Sequence, residues 1–369
     1  MRKPYVPALV LLILAPALPE LLSGNMPPVK FFHPLALATL IVLYGGGAVL
    51  IREMIVHWGK GWPTLLALGA AYGILEEGLL CKSFFDPQWQ GLNNLATYGR
   101  WLGVNWVWSL NLTIFHALFS IAATICVVEL IFPAQRGRPW VRSWVLVLLL
   151  ILLVLDVLLG YLAFGGMMEQ GGGPYRPPTA PYLVALALVL ALVLLGRRLP
   201  KPAPPVPAPT SAAPGEAAGE AVPRGARPLW FFLVGFFGTV LFFVISWAVP
   251  NLNVRGLCPH PVVNMAVMAA YTCFGVWLVW RMSGRGAAWS DSRAVALASG
   301  SVWVFVSLLG PVLLLNKDNP KNMAGMWIVD LVAAALLVLL AWRVRRRRLA
   351  SEALAAVSAG SVEDPRASR

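Results

Sequence analysis

Five polar side chains stand out in a strongly apolar sequence: the adjacent Glu76 and Glu77, His116, and the pair His260 and Asn264. The two glutamates lie near the end of an apolar run that is long enough to cross a bilayer. An acidic side chain inside hydrocarbon is costly, so it is normally paired or functional. Adjacent carboxylates also repel each other, which favours a functional role for Glu76 and Glu77 over a structural one.

The spacing of residues in two neighbouring apolar segments predicts that Glu77 and His116 meet. Gly69 and Gly73 share a helical face with Glu77, so another helix can approach that face closely. His116 belongs to a polar stripe at helical spacing, which should face protein rather than lipid. The stripe consists of Ser109, Thr113, His116 and Ser120. We therefore expect the Glu77 carboxylate and the His116 imidazole to lie within about 6 Å or to share one water.

The histidines also allow simpler roles. A single membrane histidine such as His116 can hydrogen-bond a backbone carbonyl, and the sequence leaves this alternative open. His260 precedes a proline at the start of a helix, where a structural role is favoured, and His33 precedes a proline in the same way. Asn264 follows His260 by one helical turn, so the two residues share a helix face.

Other polar residues in apolar segments form two sets. Glu20, Asp156 and Asp330 fall in the same half of the bilayer as the glutamate pair. A second set lies toward the opposite surface, where Arg52 and Glu53 are expected to form an interfacial ion pair. This set consists of Arg52, Glu53, His57 and Glu129. The four cysteines have no metal-ligand spacing, and a disulfide between Cys81 and Cys258 is compatible with the sequence but not indicated by it.

The elements that must position these residues are membrane helices. Of 369 residues, 59% are hydrophobic and only 12% are charged, about half the charged fraction of a soluble domain. The long apolar runs predict an all-α, polytopic transmembrane bundle of about ten helices. The predicted spans are Val6–Leu22, 34–57, 62–84, 105–132, 140–164, 180–196, 229–249, 261–281, 293–315 and 323–343.

The distribution of charge predicts the orientation in the membrane. The net charge is +13, but the basic residues lie in short loops between apolar runs and in one terminal cluster, Arg345–Arg348. This is the positive-inside pattern, which argues against nucleic acid as a partner and places both termini in the cytoplasm. We expect a multi-pass protein of the cell membrane, with the bilayer as its environment and anionic lipid as the partner of Arg345–Arg348.

Composition divides the chain into four parts. Residues 1–198 form a six-helix membrane unit that carries the polar site, and residues 229–348 form a four-helix unit. The Pro- and Ala-rich residues 199–228 read as a flexible cytoplasmic linker. Residues 349–369 are small and polar, which predicts a disordered cytoplasmic tail.

An internal similarity suggests a parallel repeat of helices 1–4 and 7–10. The segment Ala17-Leu-Pro-Glu-Leu21 resembles Ala248-Val-Pro-Asn-Leu252, and each is followed by a His-Pro pair. Chance similarity between apolar segments is the alternative explanation. If the repeat is real, the first apolar run is a retained helix rather than a cleaved signal peptide.

The order of the polar residues resembles the CAAX-protease and bacteriocin-processing family of intramembrane glutamic proteases. The resemblance rests on Glu76-Glu77, His116 and His260-Pro-Val-Val-Asn264, and covers mainly the third and fourth helices. It implies that a glutamate and His116 activate water, while His260 and Asn264 stabilise an oxyanion. The chain departs from the family pattern because the basic residue after the glutamates, Lys82, stands one position late.

Two functional classes are therefore open. One is an intramembrane hydrolase with Glu76, Glu77, His116, His260 and Asn264 as its catalytic residues. The other is a permease or ion-coupled transporter in which Glu76 and Glu77 carry a proton or bind a cation, and a repeat would favour it. No nucleotide, dinucleotide or metal motif is present, so we expect no cofactor and no metal. The sequence does not indicate the substrate.

Overall fold

The protein is a bundle of membrane-spanning helices, as the sequence predicts. The computed structural model describes residues 4–163, 175–202, 225–252, 256–286, 289–309 and 325–360. In this part of the chain, eight helices are long and apolar enough to cross a membrane, and the shorter helix Val6–Leu22 and the helix at 62–80 complete the bundle. In chain order the helices are α1 (Val6–Leu22), α2 (Pro34–Trp58), α3 (62–80), α4 (Trp106–Ile131), α5 (Ser143–Ala163), α6 (Thr179–Arg198), α7 (Pro228–Asn251), α8 (Pro261–Met282), α9 (Asp291–Leu309) and α10 (Met326–Gly360).

Local sequence signals explain many of the helix ends. Proline occupies the first turn of α2, α3, α7 and α8, where its missing N–H costs nothing. The Asn105 side chain caps α4 by accepting a hydrogen bond from the Trp108 N–H at 3.0 Å. The predicted third span continues to residue 84, but α3 ends at Leu80, since Lys82 adopts a left-handed backbone conformation with φ of 63°.

Helices α3 and α4 cross closely at two glycines. A Cβ atom at Gly69 would lie 2.9 Å from Ala117 Cα, and one at Gly73 would lie 3.0 Å from His116 Cβ. Neither position has space for a side chain, so the predicted glycine face is the surface on which α4 packs. α4 is also the most buried of the long helices, whereas α5, α6 and α8 are mostly exposed toward the surrounding lipid.

Pair packing differs between the two halves of the suggested repeat. α7 lies against α9, where Gly235 approaches the Leu297 carbonyl and Gly300 approaches the Phe232 carbonyl. In the first half, α1 packs instead on α2, where Gly45 approaches the Leu12 backbone, and on α4. The His33 and His260 positions are alike, since both precede a proline at a helix start, but the helices around them are packed differently.

Short π-helical segments interrupt six of the membrane helices. In such a segment the backbone hydrogen bonds span one more residue than in an α-helix, and these segments often occur at functional sites. Four of them lie in α1 to α4, and each carries a polar side chain of the site described below. The segments are Ala17–Leu22, Ile41–Gly46, Ile74–Leu80, His116–Ala123, Val244–Ala248 and Phe305–Leu309.

The loop between α3 and α4 folds over one end of the bundle. It contains a two-stranded antiparallel hairpin in which β1 (Arg100–Trp101) pairs with β2 (Val104–Asn105). Arg100 donates hydrogen bonds to the carbonyls of Phe85 at 2.7 Å and Ala96 at 2.8 Å. Several apolar side chains of the loop are buried, so the loop is a packed cover rather than an open connection. They are Phe84, Phe85, Leu92, Leu95 and Tyr98.

The opposite end of the bundle holds a buried ion pair that the sequence placed at the interface. Arg52 and Glu53 are 1% and 0% exposed, and their side chains approach to 2.6 Å. The segment between α4 and α5 covers them: the carbonyl of Arg138 accepts from Arg52 at 2.7 Å, and the Trp140 ring lies 3.6 Å from the guanidinium. The predicted ion pair is confirmed, and it is buried because this short loop folds inward and supplies further partners.

The same end joins the two membrane units. Arg136, which follows α4, forms a 2.7 Å ion pair with Asp291 at the start of α9. Arg347 on α10 donates to the Leu130 carbonyl at the end of α4 at 2.8 Å. Arg347, from the predicted lipid-binding cluster Arg345–Arg348, thus binds another helix of the protein.

The last helix is longer than the sequence indicates. α10 continues to Gly360, so residues 349–360 are helical where a disordered tail was predicted. The run Ser351-Glu-Ala-Leu-Ala-Ala consists of residues that tolerate or favour helix, and Arg348 pairs with Glu352 at 2.7 Å, one turn further on. Most of the predicted linker, residues 203–224, and the end of the tail, residues 361–369, lie outside the described part of the chain.

Candidate functional site

Glu76, Glu77 and His116 form a compact cluster between α3 and α4. His116 Nε2 lies 3.3 Å from Glu77 Oε1, and His116 Nδ1 lies 3.2 Å from Glu76 Oε2. The predicted meeting of Glu77 and His116 is therefore confirmed, and Glu76 approaches the other nitrogen of the same ring. The side chains of Glu76 and His116 are each 3% exposed, whereas that of Glu77 is 13% exposed.

A chain of hydrogen bonds orients Glu77. The Trp108 indole donates to the Ser83 hydroxyl at 3.1 Å, and Ser83 in turn donates to Glu77 Oε2. The second carboxylate oxygen is thereby left facing His116. Ser83 belongs to the folded loop after α3, so the loop that covers this end of the bundle also fixes the carboxylate.

Only part of the polar stripe of α4 contributes to the cluster. Ser120 Oγ lies 2.9 Å from His116 Nδ1 and shares that nitrogen with Glu76. Ser109 donates instead to the Asn105 carbonyl at 2.7 Å, within its own helix. Thr113 contributes backbone contact to Gly73. The stripe thus marks the protein-facing side of α4, and its His116 and Ser120 members reach the cluster.

Glu20 and Tyr44 extend the cluster into α1 and α2. The Tyr44 hydroxyl donates to Glu20 Oε1 at 2.5 Å, and the Asn25 amide donates to Glu20 Oε2 at 2.7 Å. The Tyr44 ring stacks on His116 with 6.1 Å between ring centroids. Glu20 was identified from the sequence only as a membrane carboxylate, and neither Glu20 nor Tyr44 was assigned to the site.

Aromatic rings close the sides of the cluster. Tyr72 lies 6.2 Å from His116 and 6.0 Å from Tyr44, measured between ring centroids, and Phe115 lies 5.3 Å from His116. Among the described residues, the Tyr72 hydroxyl and Glu76 Oε2 have no hydrogen bond of good geometry. Both atoms are buried, and Glu76 Oε2 has the His116 Nδ1 atom at 3.2 Å as its polar neighbour.

The cluster has the donor set of a cation site. Glu76, Glu77 and His116 each offer one ligand atom, and these atoms lie within 4.8 Å of one another. Carboxylate oxygen and imidazole nitrogen suit zinc, manganese or iron(II). No metal motif was found in the sequence because the ligands come from two helices and depend on their packing. The same three groups can equally share protons.

His260 and Asn264 are placed apart from this cluster. His260 is exposed at the start of α8, where its ring accepts from the Val262 N–H at 3.3 Å. Asn264 is buried, and its amide donates to the Ile245 carbonyl of α7 at 3.0 Å. Their hydrogen bonds therefore go to α7 and α8, and the structure does not bring them to Glu76, Glu77 or His116.

The remaining membrane carboxylates occupy other helices. Asp156 lies on α5 and Asp330 on α10, and each has one oxygen without a hydrogen-bond partner among the described residues. The four cysteines are free, so the disulfide between Cys81 and Cys258 that the sequence allowed is not formed.

The fold and the buried carboxylate–imidazole centre define a multi-pass helical membrane protein with a polar intramembrane site. The chain belongs to an uncharacterized membrane protein family, whose model matches residues 9–357. No curated protein and no solved structure matches the chain. The matching family is not that of the glutamic intramembrane proteases, so the resemblance to those enzymes is unconfirmed.

Proposed function

We propose that the protein is an ion-coupled membrane transporter in which Glu76, Glu77 and His116 bind a proton or a cation during the transport cycle. One observation carries the proposal: the three groups lie inside the membrane bundle, and the two nitrogens of His116 lie 3.2 Å and 3.3 Å from oxygens of Glu76 and Glu77. Ionisable groups at such positions are typical of proton relays and ion pathways.

Two further features support transport over hydrolysis. Glu20 and Tyr44 continue the set of proton-bearing groups into α1 and α2, which suits a relay more than a single catalytic base. The polar side chains also lie in π-helical segments of four different helices, a way of placing irregular backbone around a membrane ion site.

The experiment compares ion movement in proteoliposomes that contain wild-type protein, Glu77→Gln or His116→Ala. Proton flux is followed with a trapped pH-sensitive dye while gradients of Na⁺, K⁺, Mn²⁺ or Zn²⁺ are imposed in turn. We expect wild-type protein to move protons against at least one of these ions, and Glu77→Gln to lower the rate to the level of empty vesicles. Glu77→Gln removes a charge while keeping the volume, so expression should be nearly unchanged.

Glu352→Gln is the matched control, since Glu352 is more than half exposed on α10 and remote from the site. Its flux should equal that of wild-type protein. Equal rates for Glu77→Gln and wild-type protein with every ion would contradict the proposal.

An intramembrane hydrolase is the second candidate. The observation in its favour is the pairing of Glu77 with His116 at 3.3 Å, since a carboxylate and an imidazole at this separation can hold and activate a water molecule. The oxyanion role that the resemblance implied for His260 and Asn264 would pass to another donor, and the Tyr72 hydroxyl is available within the cluster. Loss of a membrane-peptide cleavage product in Glu77→Gln cells, with no ion flux in wild-type vesicles, would favour this function.

A further inference from the structure

A second buried polar cluster joins α4, α7 and α8 away from the charged residues. It consists of Asn111 on α4, Ser246 on α7 and Asn264 on α8, which are 3%, 0% and 2% exposed. Each has one side-chain oxygen with no hydrogen-bond partner among the described residues: Oδ1 of both asparagines and Oγ of the serine. Three orphan oxygens on residues that meet at two adjacent positions of α7 are unusual, because buried polar atoms are nearly always paired.

Hydrogen bonding fixes the orientation of both amides. Asn111 Nδ2 donates to the Ser246 carbonyl at 3.2 Å, and Asn264 Nδ2 donates to the Ile245 carbonyl at 3.0 Å. A carbonyl can only accept, so the nitrogen of each amide must face it and the oxygen must point the other way. Rotating either amide by 180° would place an oxygen against a carbonyl, so the oxygens stay unpaired in the favourable orientation.

The backbone of α7 is adapted to this arrangement. Ile245 and Ser246 lie in the π-helical segment Val244–Ala248, where the hydrogen-bond register of the helix shifts. Their adjacent carbonyls accept from side chains of α8 and α4, which draws the two asparagines to one place on α7. Ser246 stands at that place with its hydroxyl unpaired.

We infer that Asn111, Ser246 and Asn264 form a binding site for a monovalent cation, with Na⁺ as the best match. Their free atoms are oxygens, the ligands that hard cations prefer. None of the three side chains is charged, so the site lacks the carboxylates that divalent cations usually require. Neutral oxygens beside an irregular helix are also the pattern of Na⁺ sites in transporters. The site shares α4 with the Glu76–Glu77–His116 cluster, but its other residues lie on α7 and α8 instead of α3, and its ligands are neutral.

The test is the thermal unfolding of the purified full-length protein in detergent, in NaCl or in choline chloride at the same ionic strength. A ligand that binds only the folded state raises the unfolding midpoint in a saturable way. We expect Na⁺ to raise the midpoint of wild-type protein by about 3 °C or more at saturation. An unchanged midpoint would mean that ordered water alone fills the site, and would overturn the inference.

Ser246→Ala gives the sharpest variant, because it removes one orphan oxygen and keeps every backbone hydrogen bond. Without a ligand, loss of an unpaired buried hydroxyl is neutral or stabilising, so the Na⁺ response would stay as in wild-type protein. With the cation site, the variant should lose most of the Na⁺ response while remaining folded in choline. Asn264→Ala should show the same loss, although its unfolding midpoint in choline should also fall.

Two controls separate this site from the rest of the molecule. Asn251→Ala changes an exposed asparagine at the end of the same helix α7 and should keep the full response. Glu77→Gln should also keep it, which makes the result independent of the proposed transport function. A response abolished by Glu77→Gln but retained by Ser246→Ala would move the cation to the charged cluster and contradict the inference.

Discussion

The position of His116 depends on the absence of a side chain on the facing helix. Gly73 lies directly under its Cβ atom, and Gly69 leaves space for Ala117 one turn away. The imidazole can then reach both Glu76 and Glu77 without a change of backbone. Glycine at these two positions thus serves the site by allowing α3 and α4 to approach closely.

Gly73→Leu should therefore damage both packing and site. The side chain would collide with His116 and with the Thr113 backbone, and overpacking of this kind costs about 1–3 kcal/mol. We expect a lower thermal midpoint in detergent together with loss of ion flux. Gly275→Ala on α8 is the matched control, since its Cβ would meet open space, and it should be neutral or slightly stabilising. Equal stability of the two variants would contradict the packing described for α3 and α4.

Some residues of the site could be predicted from the sequence, and others could not. Glu77 and His116 were found because the glycine face of α3 and the polar stripe of α4 are each periodic within one helix, and because an acidic pair is conspicuous in an apolar run. Ser83 and Tyr72 were missed because their roles arise from a folded loop and from ring packing, for which the sequence holds no periodic signal. His260 and Asn264 were grouped with the site by order along the chain, and order does not determine which helices become neighbours.

At the scale of elements, the helices themselves were the most predictable feature. Apolar runs and first-turn prolines define most spans to within a few residues. The π-helical segments could not be predicted, because the apolar periodicity of the sequence does not mark a shift of the hydrogen-bond register. The burial of Arg52 was also missed, since it depends on the way residues 132–142 fold back over α2.

Removing Arg52 should destabilise the protein strongly. Glu53 is 0% exposed. Without Arg52, its Oε1 atom would accept a hydrogen bond only from the Trp140 N–H, at 3.0 Å. Breaking a buried pair from one side costs about 3–5 kcal/mol. We expect Arg52→Ala to lower the thermal midpoint or the yield of folded protein markedly. Arg348→Ala breaks a pair of similar length that is more than half exposed, so a change of about 0–1 kcal/mol is expected there. A small effect of Arg52→Ala would show that the ion pair is accessible to water.

At the scale of the whole molecule, the orientation in the membrane stays a prediction from the distribution of charge. A reporter that is active only outside the cell should be silent when fused after Arg369 and active when inserted near Gly172. The physical reason is the excess of Lys and Arg on the predicted inner loops. The opposite pattern of activity would reverse the orientation and place the Glu76–Glu77–His116 cluster nearer the cytoplasm.

The role of residues 203–224 as a spacer also stays a prediction. The residues on either side of this segment are packed. Arg293 donates hydrogen bonds to the carbonyls of Gly225 and Ala226, and Pro202 contacts Gly61. The two membrane units are joined by direct contacts at Arg136 and Arg347, so their association does not rest on the linker alone.

The ion pair between Arg136 and Asp291 has a consequence for synthesis at the ribosome. Its partners are separated by 155 residues. At about 5–20 residues per second, Asp291 follows Arg136 by roughly 8–30 s. During this interval α5 to α8 are made while Arg136 has no partner on α9. Glu129, whose carboxylate lies 3.7 Å from Arg136 in the finished protein, precedes it by seven residues and can pair with it until α9 is made.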